Sequence, residues 1–331
     1  MEQGAQLAVD QINAAGGVRG RRLNLRLADD SADEDDAVRR AQGLYDNAAV
    51  VAVVGHLTSN ASLVAAQVYG GGAHPVTMIS PSASNPDLSG ISPYAFRICP
   101  SDSSHGAALA RFAWQTLVAR RAGILFTSDA YGRGVRKTFA ADFVRLGGTI
   151  VEEDPYAPTT RSLEPYLSRM RQAGIDVIVL AGDRGGAELA LQEMRALGIH
   201  WPLIGGDALA GIETAGTLAE GIWISTAYLP GRAGEKNAAF VADFARAHPG
   251  ERPDSRAASA YDIVNLLAQA ITEAGPRRRA VRDYIARVGR EVPAFEGVTG
   301  RIAFNDAGDV PSRGVAIAVV RGGHLIPASG E

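Results

Sequence analysis

Apolar positions along the chain fall into short blocks that alternate between two periods. Ala5, Leu7, Ala8, Ile12 and Ala15 recur at helical spacing and stop at Gly16-Gly17, a helix end signal. Residues 23–28 alternate and predict a strand. Ala37, Val38, Ala41, Leu44 and Tyr45 return to helical spacing behind Ser31 and Asp33, either of which can cap a helix. Residues 50–54 are uniformly apolar, the pattern of a parallel strand covered on both faces. A helix over 60–69, a stop at Gly70-Gly71-Gly72 and strands over 76–79 and 96–98 complete this first series.

At Pro100-Ser101-Asp102 the rhythm restarts. Ala108, Leu109, Phe112, Ala113 and Leu117 mark one face of a long helix, with Asp102 or Ser103 as the expected cap. Strands over 122–126, 149–152, 176–181, 202–204 and 222–226 then alternate with helices over 133–146, 163–172 and 187–197. Three helices follow, over 238–247, 257–274 and 280–288, and the chain closes with strands over 299–304 and 315–320. Strand–helix alternation predicts an α/β fold with parallel sheets. Right-handed crossovers place all the turns that follow strands along one sheet edge. The doubled series predicts two similar lobes with a ligand cleft between their sheet edges.

Those turns carry the candidate chemistry. Gly55-His56-Leu57-Thr58-Ser59 and Ile79-Ser80-Pro81-Ser82-Ala83-Ser84-Asn85-Pro86 each follow an apolar run and break into small hydroxyl residues. Backbone N–H groups and hydroxyls at such an edge suit an anion, here the carboxylate of a small ligand. In the second series the matching turns are Asp129-Ala130-Tyr131-Gly132, Gly182-Asp183-Arg184-Gly185-Gly186 and Gly205-Gly206-Asp207. Plainer readings compete. A serine after a strand is ordinary turn chemistry, and Asp207 can cap the helix beginning near Ala208. His56 is expected to pack at a strand end.

Composition narrows the function classes. The 331 residues are 46% hydrophobic and 21% charged, with a net charge of −3. Neither lobe needs a covalent staple, and no basic surface suits nucleic acid. Arg277-Arg278-Arg279 with Arg282 reads as a solvated helix face. Cys99 is the sole cysteine, which rules out an intramolecular disulfide; a buried inert thiol is expected. No apolar run is long enough to span a bilayer. The acidic run from Asp29 to Asp33 lacks the glycine and terminal glutamate of a calcium loop, so no metal is expected. Gly-x-Ser-x-Gly, Walker and His-Glu-x-x-His patterns are missing, which argues against an enzyme and a cofactor. The sequence opens inside an amphipathic helix, and a strand and a signal peptide are expected to have been lost upstream.

The run Ala8-Val9-Asp10-Gln11-Ile12-Asn13-Ala14-Ala15-Gly16-Gly17 resembles the first helix of type I periplasmic binding proteins, in the branch that binds leucine, isoleucine and valine for ABC transporters. Gly55-His56-Leu57-Thr58-Ser59 resembles that branch's Gly-His-Leu-Cys-Ser turn. Ile79-Ser80-Pro81-Ser82-Ala83-Ser84 resembles its Ile-Ser-Pro-Ala-Ala-Thr turn. Tyr131-Gly132-Arg133-Gly134 and Asn305-Asp306-Ala307-Gly308-Asp309 match two further motifs. The resemblance implies two doubly wound lobes joined by three crossovers, residues 1–100 with 230–311 and 101–229 with 312–331, the first lacking its first strand. It implies a periplasmic, monomeric protein that hands its ligand to a membrane permease, with no nucleic-acid partner. Ser59, Ser82 and Ser84 would take the ligand carboxylate, with Leu57, Thr58 and Ala83 beside them. Asp207 would take the ammonium and Tyr131 would close over the ligand. Asp183 stands where the aliphatic binder has a tyrosine, so it either favours a ligand with an extra donor or pairs with Arg184. Thr58 replaces a disulfide cysteine of the close relatives. The alternatives are a sensing ectodomain of the same fold, or a binder of aromatic acids, amides or urea.

Overall fold

The computed structural model describes residues 1–328 and separates into two compact units. Unit 1 is Met1–Pro100 with Pro230–Arg313; unit 2 is Ser101–Leu229 with the chain from Gly314 onward. Unit 1 opens with α1 (Glu2–Ala14), α2 (Glu34–Asp46), β1 (Ala52–Val54), α3 (Ser59–Gly70), β2 (Thr77–Ser80) and β3 (Ala95–Arg97). Unit 2 runs α4 (Asp102–Gln115), β4 (Arg121–Thr127), α5 (Ala130–Arg145), β5 (Thr149–Tyr156), α6 (Glu164–Ala173), β6 (Val177–Ala181), α7 (Arg184–Ala196), β7 (Leu203–Gly205) and β8 (Trp223–Thr226). The chain returns to unit 1 with α8 (Glu235–Ala247), α9 (Ser255–Ala274), α10 (Arg278–Ile285) and the hairpin β9 (Phe295–Gly297) and β10 (Gly300–Ile302). It ends in unit 2 with β11 (Ala316–Arg321) and β12 (His324–Pro327).

In unit 1, β1, β2 and β3 pair in parallel in that order. Ile79, Phe96 and Ile98 pack on α9 and α10 through Ile263, Leu266, Leu267, Val281 and Ile285. Met78, Val53 and Ala95 pack on the other face against Ala65, Ala66 and Tyr69 of α3 and Ala41 of α2. Two covered faces explain why these strands read as unbroken apolar runs. Residues 23–28, expected as a strand, join no ladder. Leu23 and Leu25 do rest on the helix layer of Ala5, Ala8 and Val9. The alternating pattern therefore marks one covered face, while a strand also needs a neighbouring backbone to pair with.

Unit 2 holds a sheet of order β12-β11-β8-β7-β6-β4-β5, parallel from β8 to β5 and antiparallel at β11 and β12. The chain steps from β4 outward to β5, then crosses to β6 on the other side. The order therefore reverses at β4, and the turns after β4 and β6 flank the point where open α/β sheets take their ligands. One face packs on Leu167, Met170, Ala190 and Met194, the other on Leu109, Phe112, Phe139 and Phe143.

Caps fix the helix starts beside these turns. Asp33, Thr58, Asp129 and Asp183 each accept a backbone N–H of the following turn. The cap of α4 is Ser101, neither Asp102 nor Ser103: its backbone is extended and its Oγ accepts the Ser103 N–H at 3.1 Å. Asp102 already lies inside the helix and is fully buried. The strands expected over 299–304 and 315–320 are β10 and β11; their hairpin partners β9 and β12 carry little periodic signal because each is short and has exposed positions.

Candidate functional site

Unit 1 builds a polar edge from two adjacent turns. β1 ends at Val54, and α3 begins at Ser59 behind its cap Thr58. The first N–H groups of α3 have no acceptor within the helix, and Thr58 Oγ1 takes that of Ala61, at 3.3 Å. The turn after β2 folds back on this helix end. Ser80 Oγ donates to His56 O at 2.7 Å and accepts the Ala83 N–H at 2.9 Å and the Ser82 N–H at 3.3 Å. Ser59 Oγ accepts the Asn85 N–H at 3.2 Å. Ser59, Ser84 and the Ser82–Ala83 backbone therefore belong to one cluster. Ser82 and Leu57 are half-buried, while Ser59 and Ser84 are buried. Ser84 Oγ is fully buried and has no hydrogen-bond partner among the described residues. An unmet buried hydroxyl costs about 1–3 kcal/mol, so this group is poised for an acceptor from outside the chain.

Arg97, absent from the motif reading, braces this edge. At the end of β3 and 1% exposed, it donates to Asn85 O at 2.7 Å, Ser89 Oγ at 2.6 Å and Asp309 Oδ1 at 2.7 Å. Asp309 closes the turn Asn305 to Asp309, in which Asn305 Oδ1 accepts the Ala307 and Asp309 N–H groups. Gly308 holds a positive φ of 77° where a Cβ would meet Ala95 O at 2.4 Å, so glycine is required. His56 does more than pack: its Nδ1 lies 2.5 Å from Asp30 Oδ2 and its Nε2 3.2 Å from Tyr69 Oη. The hydrogen bond from His56 is the largest influence on Asp30 and lowers its pKa below the usual carboxylate value.

Unit 2 places its candidates at the ends of β4, β6 and β7. Asp207 opens a short 3-10 turn whose N-cap is Gly206. The Asp207 carboxylate accepts the Tyr131 hydroxyl at 3.2 Å, and the Ala208 N–H donates to Tyr131 Oη at 3.2 Å. Burial, and then the Asp207 charge, push the Tyr131 phenol well above its ordinary pKa, so it remains a donor. Gly206 permits this approach, since a Cβ there would lie 2.1 Å from Tyr131 Oη. His105 Nε2 stands 3.7 Å from the other Asp207 oxygen.

Asp183 is exposed and accepts the Gly186 N–H at 2.8 Å as the cap of α7. It does not pair with Arg184, whose Nε goes to Glu188 at 2.6 Å, one helical turn on. Adjacent helix residues do not face each other; residues four apart do. Tyr156, missed from sequence, packs its buried hydroxyl under this turn: a Cβ at Gly182 or Gly186 would lie 1.9 or 2.2 Å from it. Among the described residues no group of His, Cys, Asp and Glu could hold a metal, and no helix is long and apolar enough to cross a membrane.

Residues 1–324 match the family model described as periplasmic binding protein. The chain belongs to this family. It is 28% identical over 334 residues to the Leu/Ile/Val-binding protein BraC3 of Rhizobium johnstonii, covering 99% of this chain and 88% of that one. It is 31% identical to an ABC transporter substrate-binding protein from Desulfitobacterium hafniense solved in complex with Leu, with TM-score 0.82 and coverage of 99% and 95%. The branched-chain amino acid substrate-binding protein LivJ of Streptococcus pneumoniae, solved with isoleucine, is 27% identical with TM-score 0.86 and coverage of 99% and 94%. The resemblance to the branched-chain amino acid branch and the type I fold expected from the motifs both hold.

Proposed function

We propose that this periplasmic binding protein family member is the extracytoplasmic substrate-binding protein of an ABC importer and captures an α-amino acid or a closely related small carboxylate. Ser59, Ser82 and Ser84, with the N–H groups at the start of α3, take the carboxylate. Asp207 takes the ammonium, and Tyr131 holds Asp207 and shields it. Leu57, Thr58 and Ala83 shape the carboxylate end, Thr58 through its cap. The observation that carries the reading is the buried Ser84 hydroxyl, which has no hydrogen-bond partner among the described residues and precedes Asn85, whose N–H is held by Ser59 Oγ. A buried hydroxyl donor beside the start of a helix suits a carboxylate.

The work is capture rather than catalysis. A ligand that binds one conformation better than another shifts the hinge equilibrium by that difference alone. The liganded protein then delivers its cargo to a membrane permease. The relatives named for leucine, isoleucine and valine support an aliphatic amino acid as the first candidate. Asp183 serves as a helix cap and is exposed, so its presence leaves that candidate in place.

A thermal-shift panel of the amino acids and of des-amino acids such as benzoate tests the reading. A ligand that binds only the folded protein stabilises it by about 2.7 kcal/mol at 100 times Kd. A rise in Tm with leucine, isoleucine or valine, and none with benzoate, is expected. A shift with benzoate alone would move the protein to the aromatic-acid alternative.

A further inference from the structure

His56 is tied at both its ring and its backbone carbonyl, and the ties run to three different elements of unit 1. Its Nδ1 faces Asp30 Oδ2 at 2.5 Å and its Nε2 faces Tyr69 Oη at 3.2 Å. The carbonyl of the same residue accepts the hydroxyls of Ser80 at 2.7 Å and Ser62 at 3.2 Å. His56, Tyr69, Ser62 and Ser80 are buried, and Asp30 is half-buried.

The ring is held on both sides. Asp30 is itself oriented: its Oδ1 accepts the Ala32 N–H at 3.0 Å and its carbonyl accepts the Asp33 N–H at 2.9 Å, in the turn before α2. The hydrogen bond from His56 keeps the Asp30 carboxyl below its ordinary pKa. An ionised carboxylate can only accept, so His56 Nδ1 carries a proton. Tyr69 lies in the last turn of α3, and its ring centroid is 5.8 Å from that of His56. Ser62 lies in the first turn of α3, so His56 grips that helix near both ends.

The carbonyl passes this order on to the second turn. A hydroxyl has one proton to give. Ser80 gives its own to His56 O, and its oxygen accepts the Ala83 N–H at 2.9 Å and the Ser82 N–H at 3.3 Å. Beyond them Ser59 Oγ holds the Asn85 N–H at 3.2 Å. Ser84 therefore stands between two fixed amides, one set by Ser80 and the other by Ser59.

Resting on the assignment of this edge to the ligand carboxylate, we propose that His56 is a positioning residue for that edge: Asp30 and Tyr69 fix its ring, and its carbonyl, through Ser80, holds Ser82 to Ser84 in the carboxylate-binding arrangement. His56 acts through Ser80 and not by touching the ligand. Without the ring ties, the backbone at residue 56 is free to turn about its two soft dihedrals and carry the carbonyl away from Ser80. Affinity for a carboxylate then falls although no ligand contact has been removed. A ring that merely fills space at the strand end makes no use of Asp30.

Three variants of the full chain test this. His56→Leu fills the space and removes both ring ties, His56→Asn keeps a side-chain donor for Asp30, and Asp30→Ala removes the partner and leaves the ring. Amide hydrogen exchange read by NMR compares the Ala83 N–H with that of Met78, which is bonded to Tyr94 O. In His56→Leu and Asp30→Ala, exchange at Ala83 should rise about tenfold relative to Met78, and His56→Asn should restore most of the protection. An equal rise at both amides, or none at Ala83, overturns the proposal. Calorimetric titration gives the second readout. His56→Leu should lose about tenfold in affinity for L-leucine and far less for L-leucinamide, which lacks the carboxylate. Equal losses for the two overturn the proposal, since a general loosening weakens both. If L-leucine does not bind the parent, the ligand assignment fails; in that case, or where L-leucinamide is too weak to titrate, exchange at Ala83 decides whether His56 positions the turn. If His56→Leu does not fold, the exchange profile of Asp30→Ala decides.

Discussion

At the scale of single residues, the account turns on polar groups whose partners lie outside their own element. Ser84 Oγ is buried with no partner among the described residues, so Ser84→Ala removes an unmet hydroxyl. Its folding stability should stay within about 1 kcal/mol of the parent, while ligand affinity falls. Urea denaturation read beside titration calorimetry separates the two; a variant that unfolds early and still binds would contradict the role. Arg97 behaves oppositely. It is buried and joins Asp309 to the Asn85 carbonyl, so Arg97→Leu strands a carboxylate and two acceptors. The expected loss is about 3–5 kcal/mol, visible as a lower urea midpoint. Ser59, Ser84 and Asp207 were legible because they sit in turns after strands. Arg97 was not, because its partner Asp309 lies 212 positions away and only folding brings them together. His105 and Tyr156 were hidden for the same reason: one looked like an ordinary helix position, the other like a strand end.

At the scale of elements, most boundaries followed from periodicity and caps, since each helix beside the site starts at a side chain that accepts its own backbone N–H. The exceptions have physical causes. Residues 23–28 carry a strand pattern but have no ladder, because alternation reports a covered face and not a paired edge. β5 runs to Tyr156, beyond the expected end at 152, because its partner β4 continues alongside to Thr127. The turn after β1 is tied to the approach to α2 by His56 and Asp30. Since the His56 hydrogen bond lowers the Asp30 pKa, its stabilisation is complete above about pH 4 and is lost as pH falls through the depressed value. Asp30→Asn should therefore flatten the acid limb of a stability profile measured by urea denaturation between pH 3 and 6. An unchanged acid limb would remove this pair from the account.

At the scale of the whole chain, the doubled βα rhythm was readable from sequence because both sheets are covered on two faces and their strands are short apolar runs. In unit 2 the reversal of strand order at β4 was not readable, since both directions of winding give the same local pattern. That reversal puts Tyr131 and the Asp183 turn beside the point where open α/β sheets take their ligands, with Asp207 one strand further on at β7. The family match supplies the class of protein, and the polar edges carry the proposal for its ligand. The most direct test is calorimetric titration of L-leucine and its des-amino analogue, 4-methylpentanoate, into the parent and Asp207→Ala. Leaving a buried ammonium unpaired costs roughly 2–5 kcal/mol, so the parent should prefer L-leucine and Asp207→Ala should lose that preference. Equal binding of the two compounds by the parent, or an undiminished preference in Asp207→Ala, would contradict the account.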